Sequence, residues 1–192
     1  MTKQPILLAS ASPRRKEILQ TAGILFEICP SDADELCKDG TDIGAQVVEN
    51  ARRKAYDVSA KHPSRVVLGA DTLVTADGKA LGKPRDREDA KRMLRFLSGR
   101  THEVMTGVCI TDGTCTQTAL SVTRVTFRHL DDALIERYVA SGECDDKAGA
   151  YGIQQKGCIL VDRIEGDYFS VVGLPICMVC DLLERFFDIF PA

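Results

Sequence analysis

A chain of 192 residues, 44% hydrophobic and 28% charged, has the balance of an ordinary globular domain with ample material for a core. A formal net charge of −3 argues against the broad basic surface that nucleic-acid or membrane binding wants, but leaves room for a local cluster that grips a small anion. No stretch approaches the roughly 20 apolar residues that cross a bilayer, and one domain over 1–192 is expected.

The first apolar run, 6–9, is far too brief for a signal peptide, so a cytoplasmic protein is expected. It reads as a buried strand running straight into Ser12-Pro13 and a helix to about Gln20. A loop rich in acid follows (Asp32, Asp34, Glu35, Asp39), then a helix over 43–60 with Val47, Ala51, Ala55 and Val58 on its inner face. Residues 65–70 predict a strand that ends at Asp71-Thr72, and Asp77-Gly78 turns a small hairpin back towards Gly82-Lys83-Pro84.

Asp86 caps the next helix, which carries Glu88 and Asp89 in its first turn and closes at Ser98-Gly99. Two longer strands, 102–111 and 116–128, meet at Asp112-Gly113. A helix over 131–140, a glycine-rich loop over 142–157 and strands over 158–164 and 167–172 come next. A last helix begins after Gly173-Leu174-Pro175, with Ile176, Val179, Cys180, Leu183 and Phe187 on one face. Strands and helices in this order predict an α/β fold, a mixed twisted sheet with flanking helices.

Eight cysteines are scattered along the chain, and no disulfide framework is needed at this length. Only Cys177-Met178-Val179-Cys180 has motif spacing. It lies in an apolar helical stretch where a shared buried face is expected, and no second ligand pair accompanies it. His62, His102 and His129 are equally dispersed.

Chemistry concentrates elsewhere. Ser12 at an N-cap and Pro13 at the first helical position are ordinary helix-start residues. Arg14 and Arg15 are not, because a cation in a first turn opposes the helix dipole at a cost of about 0.3–1 kcal/mol. Free amides, a positive dipole end and two guanidinium forks together make an anion site, although a solvated basic turn is the plainer reading. Asp71 sits where an apolar strand runs out, the place where ligands of open α/β folds collect. It is a candidate to hold Mg²⁺ or take a proton from water, or else simply opens a turn with Thr72.

Lys54 shares the inner face of its helix and either snorkels outwards or points into a cleft. Lys83 cannot lie in regular helix because Pro84 follows it. Small residues and two glycines in 146–154 let backbone approach a ligand, while Lys147 adds charge and Gln154 a donor–acceptor pair. No Walker or Rossmann glycine motif is present.

In order, Ser10-Ala11-Ser12-Pro13-Arg14-Arg15, Asp34-Glu35, Lys54-Ala55, Gly69-Ala70-Asp71-Thr72, Gly82-Lys83-Pro84, Lys147-Ala148-Gly149-Ala150-Tyr151-Gly152-Ile153-Gln154 and Val172-Gly173-Leu174-Pro175 resemble the Maf family of nucleoside triphosphate pyrophosphatases. The resemblance spans nearly the whole chain. It implies an inosine-triphosphatase-like α/β fold with two lobes around a deep cleft. It also implies a divalent-metal-dependent cut (Mg²⁺, or Mn²⁺) between the α- and β-phosphates, releasing a nucleoside monophosphate and pyrophosphate in a nucleotide-pool cleaning role.

Carried across, Asp71 is the proton acceptor; Ser12, Arg15, Lys54 and Lys83 hold phosphates; Glu35, with Asp71, binds metal. Arg14, Thr72 and Gln154 resemble the branch acting on dTTP and UTP, with CTP and modified pyrimidine nucleotides as further substrates. The branch acting on methylated guanine carries other residues there. A Gln amide accepts from the pyrimidine N3–H and donates to O4, a pairing a carboxylate cannot supply. A homodimer is also what the family suggests. The chain departs from the family at Gln155-Lys156, where glycine often follows the glutamine, and at Arg53, where an acid is common. The alternatives are the same chemistry on 7-methyl-GTP, a non-catalytic nucleotide-binding regulator of division, and a thiol or zinc module built on Cys177 and Cys180.

Overall fold

Two short strands open the fold, Ile6–Leu8 (β1) and Phe26–Ile28 (β2), paired in parallel with Ile6 opposite Phe26. Parallel neighbours need a crossover, and the helix Pro13–Thr21 (α1) supplies it. The structure is a computed structural model that describes residues 4–36 and 42–191; Cys37 and Asp39 of the acidic loop lie outside the described residues. Strand β2 is absent from the elements that the sequence pattern predicts. It is only 3 residues long and its side chains are partly or fully exposed, so no apolar alternation announces it; β1 supplies its hydrogen-bonding partner.

Strand Val67–Ala76 (β3) pairs in parallel with the other side of β1, Leu7 opposite Val67. It does not end at Asp71, as the polar Asp-Thr pair implied, but continues through Thr72 to Ala76. Asp77 (φ 50) and Gly78 (φ 71) then make a tight turn into Lys79–Leu81 (β4), which runs back antiparallel. Strands Thr101–Thr111 (β5), Thr116–Phe127 (β6) and Val161–Glu165 (β7) complete a sheet of order β2-β1-β3-β5-β6-β7, with β4 on β3. Strands β6 and β7 are antiparallel.

The remaining helices are Ile43–Lys61 (α2), Arg87–Leu97 (α3), Asp132–Ala140 (α4), Tyr168–Val172 (α5) and Ile176–Phe187 (α6). Asp42, Asp86 and Asp131 each accept a first-turn amide, stabilising their helices by about 1 kcal/mol apiece. Helix α5 replaces a strand expected over 167–172. The Tyr-Phe-Ser-Val-Val composition favours a strand, but Asp167 accepts from Phe169 N–H at 2.9 Å and turns the chain. Thr123 holds that start, accepting from Asp167 N–H at 3.0 Å and donating to its carbonyl at 3.2 Å. The strand expected from 158 begins at Val161, after a 3-10 turn over Lys156–Leu160. On α6 the buried row is Val179 and Leu183; Cys177 is exposed and Cys180 half-buried, so the two cysteines do not share a buried face.

By its contacts the chain forms two compact units: Met1–Asp71 with Thr106–Ser121 and Gly173–Ala192, and Thr72–Met105 with Val122–Val172. In the first, Leu7, Ala9, Ala51, Ala55, Val58, Val67 and Cys109 make a core between α2 and the sheet. Among the described residues no helix is long and apolar enough to cross a membrane.

Candidate functional site

Gly69 and Asp71 lie two residues apart on β3 and so project to the same side of the sheet. A Cβ at Gly69 would fall 2.3 Å from the Ala51 carbonyl oxygen and 2.8 Å from Ala55 N, so the glycine is what lets α2 lie directly on the strand. Gly107 on β5 does the same under Val47. That close approach brings α2 side chains to Asp71, which is buried at 5% exposure. Lys54 Nζ donates to Asp71 Oδ1 at 2.8 Å and Asn50 Nδ2 donates to Oδ2 at 3.0 Å. Both carboxylate oxygens are thus held by donors from one helix.

The same helix face grips the acidic segment 31–36. Lys54 Nζ also donates to Glu35 Oε1 at 2.6 Å. Arg53 Nη1 donates to the Asp34 carbonyl at 2.9 Å, while Asn50 accepts from Leu36 N–H at 2.7 Å and donates to Leu36 C=O at 3.3 Å. One turn further, Asp57 accepts from Ser31 Oγ and from Asp32 N–H. Arg53, which departs from the family pattern, therefore has a place: it fastens the backbone immediately before Glu35. Of the two readings of Lys54, the inward one holds, since it bridges Glu35 and Asp71 with its side chain 14% exposed.

At the start of α1, Ser12 occupies the N-cap position but its hydroxyl makes no capping bond. Ser10 is the organiser instead: its Oγ accepts from Ser12 N–H at 3.2 Å and from Arg15 Nη1 at 3.0 Å. Arg15 Nε donates to the Gly173 carbonyl at 2.8 Å, tying the Gly173-Leu174-Pro175 segment to α1. Burial pushes the Arg15 guanidinium down from its ordinary range, the negative charge of Asp71 opposes that, and neighbouring Arg14 adds to it. Arg14 is half-buried beside it. Ser12, Arg15, Glu35, Lys54 and Asp71 thus all belong to the first unit, with Asn50 and Ser10 as partners the sequence reading missed. Asn50 had one visible signal: a polar residue in the buried row of Val47 and Ala51.

Thr72, Lys83 and Gln154 belong to the second unit. Thr72 follows Asp71 on β3 and projects to the opposite face of the strand. Lys83 is exposed in the segment after β4. The neighbouring Gly82 carbonyl accepts from Gly149 N–H at 3.0 Å, which joins the Lys83 segment to the glycine-rich loop. Gly149 (φ 67) and Ala150 (φ 60) both occupy the left-handed region, a conformation that costs alanine about 1 kcal/mol. A Cβ at Gly149 would press on Val74 at 3.1 Å.

Tyr151 is anchored next: its hydroxyl lies 2.8 Å from His102 Nε2, and both rings pack edge-on with Phe127. Burial lowers the His102 pKa to about 4, so the ring is neutral. Lys147, read from sequence as added charge, is instead bound by Asp146 at 2.6 Å and by the Glu143 carbonyl at 2.6 Å. Gln154 is exposed on the turn that follows.

Asp71 and Glu35 converge on a single ammonium group. Two hard carboxylate donors, with the rest of the shell left to water and phosphate oxygens, are a set that suits Mg²⁺. Among the described residues no group of three or more His, Cys, Asp or Glu side chains is placed to hold a metal ion, so protein ligands alone would not enclose one.

A family model described as Maf-like protein matches residues 5–186. A protein of Pyrococcus furiosus named dTTP/UTP pyrophosphatase is 48% identical over 181 residues, covering 93% of this chain and 94% of its own length. A protein of the same name from Bacillus mycoides is 50% identical over 181 residues, covering 94% and 95%. One from Geotalea uraniireducens is 49% identical over 187 residues, covering 95% of both.

Proposed function

The chain belongs to the Maf family, and we propose that it is a nucleoside triphosphate pyrophosphatase that hydrolyses dTTP and UTP to the monophosphate and pyrophosphate. Relatives of that name at 48–50% identity over nearly their full length support the substrate class. The observation that carries the chemistry is Asp71, a buried carboxylate held at both oxygens by Lys54 and Asn50.

Each carboxylate oxygen has a second lone pair, so Asp71 retains capacity to orient a water and accept its proton as that water attacks the α-phosphorus in line. Charge then builds on the departing pyrophosphate. Arg15, whose planar fork is set by Ser10 and Gly173, and Lys54 are the preorganised cations that offset it. The uncapped Ser12 hydroxyl and the α1 amides add donors for phosphate oxygens. Glu35 and Asp71 would hold a divalent cation, Mg²⁺ by the hardness of the donors. When bound, it would supply neutralisation of phosphate charge. For the second unit the family resemblance assigns Lys83 to phosphate, and Thr72 and Gln154, with Arg14, to choice of base.

The test is a panel of nucleoside triphosphates assayed with Mg²⁺, with the released group identified. Consumption of dTTP and UTP with pyrophosphate as product is expected. Release of orthophosphate, or turnover of purine triphosphates in preference to both pyrimidines, overturns the assignment.

A further inference from the structure

Gln154 is exposed, so its place depends on what holds the ends of its turn. The turn is pinched shut: a Cβ at Gly157 would lie 2.2 Å from the Gly152 carbonyl oxygen and 3.0 Å from Tyr138 Oη. One carboxylate closes it. Glu143 Oε2 accepts from Lys156 N–H at 2.9 Å, and Oε1 accepts from Gly157 N–H at 3.2 Å. The other end, Gly152 N–H, donates to Tyr138 Oη at 3.1 Å, and that hydroxyl donates on to Glu143 Oε1 at 3.5 Å.

Glu143's own backbone is fixed as well. Its carbonyl accepts from Lys147 Nζ at 2.6 Å, and the Lys147 stem lies where a Cβ on Gly152 would meet it, at 2.6 Å. Backbone amides bound to an ionised acceptor make hydrogen bonds roughly twice as strong as neutral ones. At the departure Gln155-Lys156, position 156 gives its N–H to Glu143 and opens the 3-10 turn Lys156–Leu160.

We infer that Glu143 is a positioning residue for pyrimidine selection: through Lys156, Gly157 and, by way of Tyr138, Gly152, it sets where Gln154 presents its amide. The inference rests on the reading that Gln154 contacts the base. It predicts that loss of Glu143 affects substrate choice and KM while sparing the chemical step, because Asp71 and Lys54 stand on other elements.

Steady-state kinetics on dTTP, UTP and dATP, with thermal melts alongside, test this for Glu143→Ala, Glu143→Gln and Gln154→Ala. For Glu143→Ala the KM for dTTP should rise about tenfold with kcat within about twofold, and the preference for dTTP over dATP should fall as it does in Gln154→Ala. Glu143→Gln keeps one carbonyl acceptor and should recover part of the loss. If Glu143→Ala lowers the melting temperature but leaves KM and preference unchanged while Gln154→Ala alters them, Glu143 is merely structural and the inference is overturned. If Gln154→Ala itself leaves the preference unmoved, the base-contact reading fails and takes the inference with it. Should Glu143→Ala not fold, Tyr138→Phe cuts only the Gly152 link, and a smaller KM rise with kcat retained is expected; no rise overturns the inference.

Discussion

Asn50 clasps the backbone of Leu36 from both sides, accepting from its N–H at 2.7 Å and donating to its carbonyl at 3.3 Å. Its amide nitrogen also donates to Asp71 at 3.0 Å. One buried side chain thereby links the segment carrying Glu35 to the carboxylate at the centre of the proposed site. Asn50→Leu, branched at the same atom but without polar atoms, should lower kcat about tenfold while changing the KM for dTTP little, since Asn50 works through Asp71 and Glu35. Steady-state kinetics on dTTP check this; an unchanged kcat would show the clasp to be irrelevant to turnover.

Asp71→Asn keeps the shape and the Asn50 and Lys54 neighbours but removes the proposed proton acceptor. Turnover of dTTP should fall about a thousandfold or more with the far-ultraviolet circular dichroism unchanged. Near-wild-type pyrophosphate release from this variant would sink the mechanism.

Lys54, half-buried, pairs with the buried Asp71 at 2.8 Å, their side chains 14% and 7% exposed. Removing one partner of such a pair leaves the other charge buried, so Lys54→Met should destabilise the protein by about 3 kcal/mol. In the Lys54→Met, Asp71→Asn double variant much of that loss should return, because the only carboxylate left without its ammonium is Glu35, whose side chain is 53% exposed to water. Denaturant unfolding of the wild type, both single variants and the double variant measures the coupling; strict additivity would argue against the pair.

Gly69→Ala tests how α2 reaches the site. Its Cβ would meet the Ala51 carbonyl oxygen at 2.3 Å, and the backbone of a packed helix has little freedom to withdraw. Overpacking of this kind costs about 1–3 kcal/mol, or roughly 2–12 °C in melting temperature for a chain of this size. Activity should fall as well, since Asn50 and Lys54 move with the helix.

His102 gives a pH signature to stability. Its pKa is lowered from 6.5 to about 4 by burial, so the unfolded chain binds the proton more readily than the folded one. Its contribution is therefore fully present above about pH 6.5 and is lost as pH falls towards 4, by about 3 kcal/mol in all. His102→Gln should flatten that limb of the stability profile, read as melting temperature against pH.

Local signals were enough for much of this molecule. Asp86 before an acidic first turn, Asp77-Gly78 between apolar runs, and the 3.6-residue row of Val47, Ala51, Ala55 and Val58 each declare their element through short-range chemistry. Helix-start arginines and a lone aspartate in an apolar run single out Arg15 and Asp71 from sequence as candidates for the proposed site. What sequence could not decide was who touches whom. Strand β2 exists because β1 offers an edge, and α5 because Thr123, 44 positions away, holds Asp167. Lys54 turned inwards because Gly69 lets α2 lie against β3, and Asn50 and Glu143 matter through partners remote in sequence or spread along a loop. Residue type sets what a side chain is able to bind. Only the packing of distant segments decides which donor meets which carboxylate.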